Sequence, residues 1–195
     1  MKAVILLIFE EKTITLKNGQ QAVLKTPELK DAQQLLFNIR TAAAETDFLS
    51  RTAQDWQDAT VESEEKWIRN NRESEHDLVL ACYIDSMIVG TSEITFLHSS
   101  KTSHRAVLGI AIQKDFWNLG IGSAMFEILL EAAERHKGTE IAELEFISGN
   151  NRGKALYEKF GFRVVSVKPN VFKLQDGSYQ DMYYMQKVLK EGSRQ

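Results

Sequence analysis

Phe116-Trp117-Asn118-Leu119-Gly120-Ile121-Gly122-Ser123 joins an apolar run to an amphipathic one through a glycine-spaced turn. Before it, Ala106-Val107-Leu108-Gly109-Ile110-Ala111-Ile112 reads as a buried strand. After it, Ile121, Ala124, Met125, Ile128, Leu129 and Ala132 recur at the i, i+3, i+4, i+7 spacing of a helix. A helix start leaves backbone N–H groups unpaired and carries partial positive charge. Gly120 and Gly122 lack the Cβ atoms that would hold an anion at a distance. The layout predicts an anion site, with phosphate the expected group. Taken alone, the two glycines read equally well as a turn that needs positive φ.

A second segment narrows the reading. Asn150-Asn151-Arg152-Gly153-Lys154-Ala155-Leu156-Tyr157-Glu158-Lys159-Phe160-Gly161-Phe162 is a strand exit, a capped short helix and a glycine stop. In this order and spacing the two segments resemble the GCN5-related N-acetyltransferase (GNAT) superfamily. The first looks like its acetyl-CoA pyrophosphate loop, the second like its Asn...Leu-Tyr-x-Lys-x-Gly-Phe signature. The resemblance runs from about Ala22 to Val188 and leaves out only the first residues. It implies an N-acetyltransferase with acetyl-CoA as cosubstrate.

Acetyl transfer to an amine needs a neutral nitrogen, a polarised thioester carbonyl and a stabilised leaving thiolate. A lysine-like amine, pKa about 10.4, is almost wholly protonated at neutral pH, whereas an α-amine near 8 is about one-tenth neutral. A base therefore matters more for the first. The resemblance implies a glutamate base on the strand before Asn150, and Glu145 in Leu144-Glu145-Phe146 matches it; strand alternation equally allows Glu143 and Glu145 to form a solvated face. Glu93, within Met87–Phe96, is the second candidate and a substrate-binding residue. Another base position common in the family falls at Val107 or Leu108, which cannot accept a proton, and His104 reads as a loop cap.

Tyr157 matches the family's general acid. A phenol of pKa about 10 is a weaker acid than a thiol near 8.5, so full proton transfer to a thiolate is uphill by about 2 kcal/mol, and the expected role is a hydrogen bond to the leaving sulfur. Asn150 matches a residue that binds the pantetheine arm, and it is equally placed to cap a helix. Backbone of Leu108–Ile112, with Ile110, Ala111 and Ile112 as contacts, is implied to bind the pantetheine amides edge-on. Diphosphate contacts are expected along Trp117, Asn118, Leu119, Gly120, Ile121, Gly122 and Ser123. Trp117 stands where the family usually carries a basic or amide residue, so backbone N–H groups from Asn118 to Ser123 are given most of that binding.

With 195 residues, 43% of them apolar, the chain suits one domain with a real core. The formal charge of −3 and interspersed signs argue against a nucleic-acid partner. Cys82, the single cysteine, lies in an apolar run, so neither an internal disulfide nor a thiolate metal site is expected. It is also a poor covalent acyl carrier, which favours direct attack in a ternary complex. Met1–Phe9 is too short an apolar run for a signal peptide, and an added N-terminal strand, with a soluble cytoplasmic protein, is expected.

Asn18-Gly19 predicts a hairpin within Ile14–Lys25, and Thr26-Pro27-Glu28 opens a helix with Leu29, Ala32, Leu35, Leu36 and Ile39 on one stripe. A second helix is expected over Glu64–Arg72 with Trp67 and Ile68 inward, after an irregular stretch, Glu45–Val61, that should touch the substrate. Leu78–Ile84 with Met87–Phe96, then Glu140–Ile147, Gly161–Val167 and Tyr179–Leu189, complete the strands. The fold class is α/β in mixed α+β form: a mostly antiparallel sheet of about seven strands with helices on both faces. The acceptor is a small-molecule amine, a polyamine or a protein N-terminus; an acidic lining at Glu45, Asp47 and Glu93 would favour a polyamine. A homodimer through the edge near Tyr179–Leu189 is compatible by fold analogy. Two rival readings are a non-catalytic acyl-CoA-binding module and a nucleotide fold. The second lacks the third glycine of the dinucleotide motif and the ending of a P-loop.

Overall fold

The computed structural model describes residues 7–190. Most of the expected N-terminal strand lies outside them, and residues 7–11 form no strand. Phe9 instead exchanges two hydrogen bonds with Thr26, N to Oγ1 at 2.9 Å and O from N at 3.0 Å.

Strands β1 (Lys12–Thr15) and β2 (Gln21–Lys25) form the expected hairpin, with Gly19 at φ +86° supplying the left-handed turn. Helix α1 (Ala32–Ala44) follows a short 3-10 turn at Leu29–Asp31, where Asp31 accepts from the Glu28 N–H at 2.8 Å. Helix α2 (Val61–Arg72) begins earlier than its apolar stripe suggested, because Thr60 caps it by accepting from the Ser63 N–H at 3.2 Å. Strands β3 (Asp77–Ile84) and β4 (Met87–Phe96) turn on Asp85 and Ser86, both with positive φ, as a tight two-residue hairpin requires.

Then come β5 (Arg105–Ile112), α3 (Ile121–Arg135), β6 (Ile141–Ile147), α4 (Asn151–Lys159), β7 (Arg163–Lys173) and β8 (Tyr179–Val188). Among the described residues eight strands form one sheet, ordered β1-β2-β3-β4-β5-β6-β8-β7, in agreement with the mixed, mostly antiparallel sheet of about seven strands expected. All neighbours are antiparallel except β5 and β6.

Helices α1 and α2 cover one face, burying Ala32, Leu35 and Ile68 against Ala81, Tyr83 and Ile88. Helix α3 covers the other, with Met125, Phe126 and Leu129 fully buried against Leu80, Ile94, Phe96 and Leu144. These faces follow from the 3.6-residue period of the helices and the two-residue period of the strands. Cys82 is fully buried, and burial pushes its thiol up to about 12. Among the described residues no helix is long and apolar enough to cross a membrane.

The parallel pair positions the site. Strands β5 and β6 are paired only from Arg105 to Val107 against Ile141 to Glu143; beyond that point β5 stays on β4 and β6 stays on β8. The sheet therefore splits into a wedge between Leu108–Ile112 and Leu144–Ile147. At its root Glu143, 3% exposed, accepts from the Arg105 guanidinium (Nε at 2.7 Å, and Nη2) and from the Tyr184 hydroxyl. The His104 carbonyl adds a backbone tie, accepting from the N–H groups of Glu140 at 2.8 Å and Ile141 at 3.0 Å.

Candidate active site

A cavity of about 1500 Å³ fills the wedge and reaches from the glycine turn to the segment after α1. With only one partner strand beyond Val107, alternate backbone groups of Leu108–Ile112 face into it. Ile110, Ala111 and Ile112 line it, as do Trp117, Asn118, Gly120, Ile121, Gly122, Ser123, Asn150, Tyr157, Glu145 and Glu93. Of the residues expected along the cofactor, Leu119 is absent from the wall. Its side chain packs on the core and its carbonyl accepts from the Lys17 N–H at 3.0 Å.

The two glycines of the turn serve different ends. Gly120, the residue before α3, sits at φ +102°, and a Cβ there would meet nothing within 4 Å; backbone conformation fixes its identity. Gly122 is fixed by packing, because a Cβ would lie 3.1 Å from Leu156 Cδ2 and 3.6 Å from both Ile110 Cδ1 and Ile112 Cδ1. The missing side chain at Gly122 thus also makes room for Leu156 of α4, while the residue itself lines the cavity. Asn118, at φ +62°, turns the chain just before.

One face of α4 lies along this turn. Arg152, Leu156 and Lys159, at i, i+4 and i+7, reach Trp117, Gly122 and Ser123 in order. The Arg152 guanidinium lies 3.0 Å from the Trp117 ring centroid, and the Trp117 ring is held by its Nε1 donating to the Ile112 carbonyl at 2.6 Å. Lys159 Nζ donates to Ser123 Oγ at 2.9 Å. Asn150 caps the helix, its side-chain oxygen accepting from the Gly153 N–H at 2.9 Å, while the residue also lines the cavity.

Tyr157 is 6% exposed, its ring packed 5.4 Å from Phe126 and 5.8 Å from Phe146, centroid to centroid. Among the described residues its hydroxyl has no hydrogen-bond partner, and the residue borders the cavity. Burial pushes its pKa up to about 12, against a smaller opposite pull from Arg152. Ser92, 2% exposed on the cavity wall, also has an unpartnered hydroxyl.

On the α1–α2 face, Glu93 is in register with Gly109, and a Cβ on Gly109 would lie 3.3 Å from Glu93 Oε1. Glu145 is two residues beyond Glu143, on the same face of the far wedge wall, and it is exposed to the cavity. Gly109 thus leaves a notch beside Glu93, and Glu145 borders the same cavity. Glu93 opens into the cavity yet is walled by protein, and that desolvation raises its pKa, helped by the charge of Asp77. Glu143 is not the solvated neighbour of Glu145 that alternation allowed; Arg105 and Tyr184 cover it.

The segment between α1 and α2 closes the end of the cavity away from the glycine turn. Phe48, Arg51, Asp55, Trp56 and Asp58 line it, and a Cβ on Gly149, after β6, would touch Phe48 Cε1 at 3.5 Å. Arg40 on α1 holds this segment by donating to the carbonyls of Trp56 at 3.0 Å, Gln57 at 3.2 Å and Ala59 at 2.8 Å. Glu45 and Asp47, expected in an acidic lining, are not on the wall; Glu45 accepts from the Lys114 N–H at 2.6 Å. Sequence reasoning missed Arg152, Lys159 and Arg40. The i, i+4, i+7 stripe of α4 was the available sign for the first two.

These features fit acetyl-CoA: a split strand edge for amides, an anion turn with cations beside it, and unpartnered hydroxyls on the wall. The model of the acetyltransferase (GNAT) family matches residues 38–162. The L-amino acid N-acetyltransferase AaaT of Escherichia coli (strain K12) is 29% identical over 110 residues, which cover 56% of this chain and 67% of AaaT. A GNAT-family acetyltransferase from Streptococcus pneumoniae superposes with a TM-score of 0.80 at 26% identity, over 86% of this chain and 99% of that one. The yncA acetyltransferase of Salmonella typhimurium, solved with its cofactor acetyl-CoA, shares the fold at a TM-score of 0.75 and 16% identity, over 89% of this chain and 97% of that one. The chain belongs to the acetyltransferase (GNAT) family, whose N-acetyltransferases draw the acetyl group from acetyl-CoA.

Proposed function

We propose that this N-acetyltransferase moves the acetyl group directly to a primary amine that carries further positive charge, with both substrates bound at once. Bound acetyl-CoA supplies an activated thioester. The free edge of β5 suits its pantetheine amides and a polarising N–H for its carbonyl, with Ile110, Ala111 and Ile112 along the contact. Asn118 to Ser123 suit the diphosphate through backbone N–H groups, and Asn150 keeps an amide donor for the arm.

The observation that carries the reading is Tyr157: a rigidly packed, buried phenol whose hydroxyl has no partner among the described residues and which borders the wedge. Raised to about 12, it is a weaker acid than a thiol near 8.5 by about 5 kcal/mol, so it serves as a hydrogen-bond donor to the leaving sulfur, not as a proton source. Glu93 borders the notch at Gly109 where the amine would sit, and Glu145 lines the same cavity. Glu145 takes the amine proton directly or through water, and Glu93, made more basic by desolvation, shares that role and holds the cation.

Charge at the acceptor end supports a cationic substrate. Asp55, Asp58, Glu64, Glu93 and Glu145 line it against Arg51, which is stacked 4.3 Å over the Trp56 ring. Trp56, Trp67 and Phe48 add aromatic faces for an ammonium. AaaT is named for L-amino acid acceptors, which supports an α-amine among the amines accepted. Cys82 is buried away from the cavity wall, in agreement with direct attack. The test is Tyr157→Phe: single-turnover acetylation falls about 10²-fold or more while the acetyl-CoA thermal shift persists. Unchanged turnover, with no thermal shift in either protein, would contradict it.

A further inference from the structure

The family resemblance leaves the diphosphate without a side-chain cation, since Trp117 occupies the place where the turn usually carries one. The fold restores the charge from another element. The central carbon of the Arg152 guanidinium lies 3.0 Å over the Trp117 ring centroid, a distance that suits stacking, and the Nε1 bond to the Ile112 carbonyl holds the Trp117 ring in place. Stacking uses the flat face of a guanidinium and leaves its N–H edge free. Among the described residues Arg152 forms no salt bridge, so no carboxylate competes for that edge. At the other end of the same helix face, Lys159 reaches Ser123 in the first turn of α3. Leu156 between them, against Gly122, sets the helix at the height of the turn.

We propose that Arg152, seated on Trp117, and Lys159, seated on Ser123, form a two-cation clamp from α4 that binds the phosphate groups of the CoA moiety. The inference rests on the acetyl-CoA reading and adds to it residues that the glycine turn does not contain. It also accounts for Trp117, whose indole replaces a phosphate-binding side chain by a platform that orients one. Partial burial pulls the Arg152 pKa below its ordinary value, and a bound phosphate would relieve the cost of holding that charge. Arg152 is the orienting, bidentate member, whereas Lys159 contributes a point charge.

The test measures calorimetric affinity of the full chain for CoA, 3′-dephospho-CoA and pantetheine. Arg152→Met and Trp117→Leu are each expected to weaken CoA binding about ten- to hundredfold, with little change for pantetheine. Lys154→Met, on the same helix but away from the cavity wall, removes one charge and should leave all three affinities unchanged. A loss seen with CoA and 3′-dephospho-CoA assigns Arg152 to the diphosphate; a loss with CoA alone assigns it to the 3′-phosphate. Equal losses for pantetheine and CoA, or none, would overturn the clamp. Absence of CoA binding by the unaltered chain would instead overturn the acetyl-CoA reading beneath it. Far-UV circular dichroism of each variant, and Arg152→Lys, which keeps charge but not the planar stack, separate a lost contact from a lost fold.

Discussion

Glu93, on the cavity wall, is a carboxylate whose ionised form the fold holds at the expense of stability. Desolvation raises its folded-state pKa above the ordinary 4.5, so its ionised form at neutral pH is disfavoured by the fold. The sign follows: the unfolded chain holds the proton less tightly, and ionisation above the folded pKa costs stability. Glu93→Gln is therefore expected to raise the melting temperature at pH 7, with the gain shrinking as pH falls through the folded pKa and gone below about 4.5. Thermal melts across that range check it. The same variant should slow acetylation, as a base or cation ligand would require. Tyr157 and Glu145 were legible from the sequence as site candidates, because each falls inside a motif or on a strand whose period is clear. The burial of Glu143 was not, since its cover comes from Arg105 and Tyr184, 38 and 41 residues away.

At the scale of elements, the glycine turn depends on α4 as much as on itself. Gly122→Ala puts a Cβ 3.1 Å from Leu156 Cδ2, so that side chain must give by a few tenths of an ångström, and the better helix propensity of alanine offsets the crowding. Its effect should fall on CoA binding more than on stability. Gly120→Ala meets no neighbour, so its cost is the backbone strain of φ +102° alone, about 1–2 kcal/mol. Chemical denaturation of the two variants, with CoA affinity measured alongside, separates the causes. The segment after α1, at the proposed acceptor end, depends on Arg40 in the same manner. Arg40→Met removes donors from three carbonyls and is expected to raise the acceptor KM severalfold while CoA affinity holds. Periodicity revealed α3 and α4 and their caps, but not that one face of α4 lies along residues 117–123. That contact joins elements whose partners no local pattern specifies.

For the whole molecule, the decisive event is the separation of β5 from β6 after Val107 and Glu143. It turns a continuous sheet into two half-sheets with a cavity between them, basic toward the glycine turn at Lys17, Arg152 and Lys159 and acidic toward the segment after α1. The succession of strands along the chain and the mixed sheet could be read from alternation, hairpin turns and the strand-helix-strand crossover, whereas the place of β8 between β6 and β7 could not. The split could not, because it is a missing set of pairings between two strands that each look regular. The proposed direct transfer from acetyl-CoA to a cationic amine requires that cavity to hold both substrates together. Rapid mixing of enzyme with acetyl-CoA, with thiol release followed in the presence and absence of a panel of diamines, polyamines and α-amines, measures this step itself. Direct transfer requires release only when an amine is present, fastest with those bearing a second positive charge. A burst of thiol without amine, or bound acetyl-CoA with no release for any amine, would contradict it.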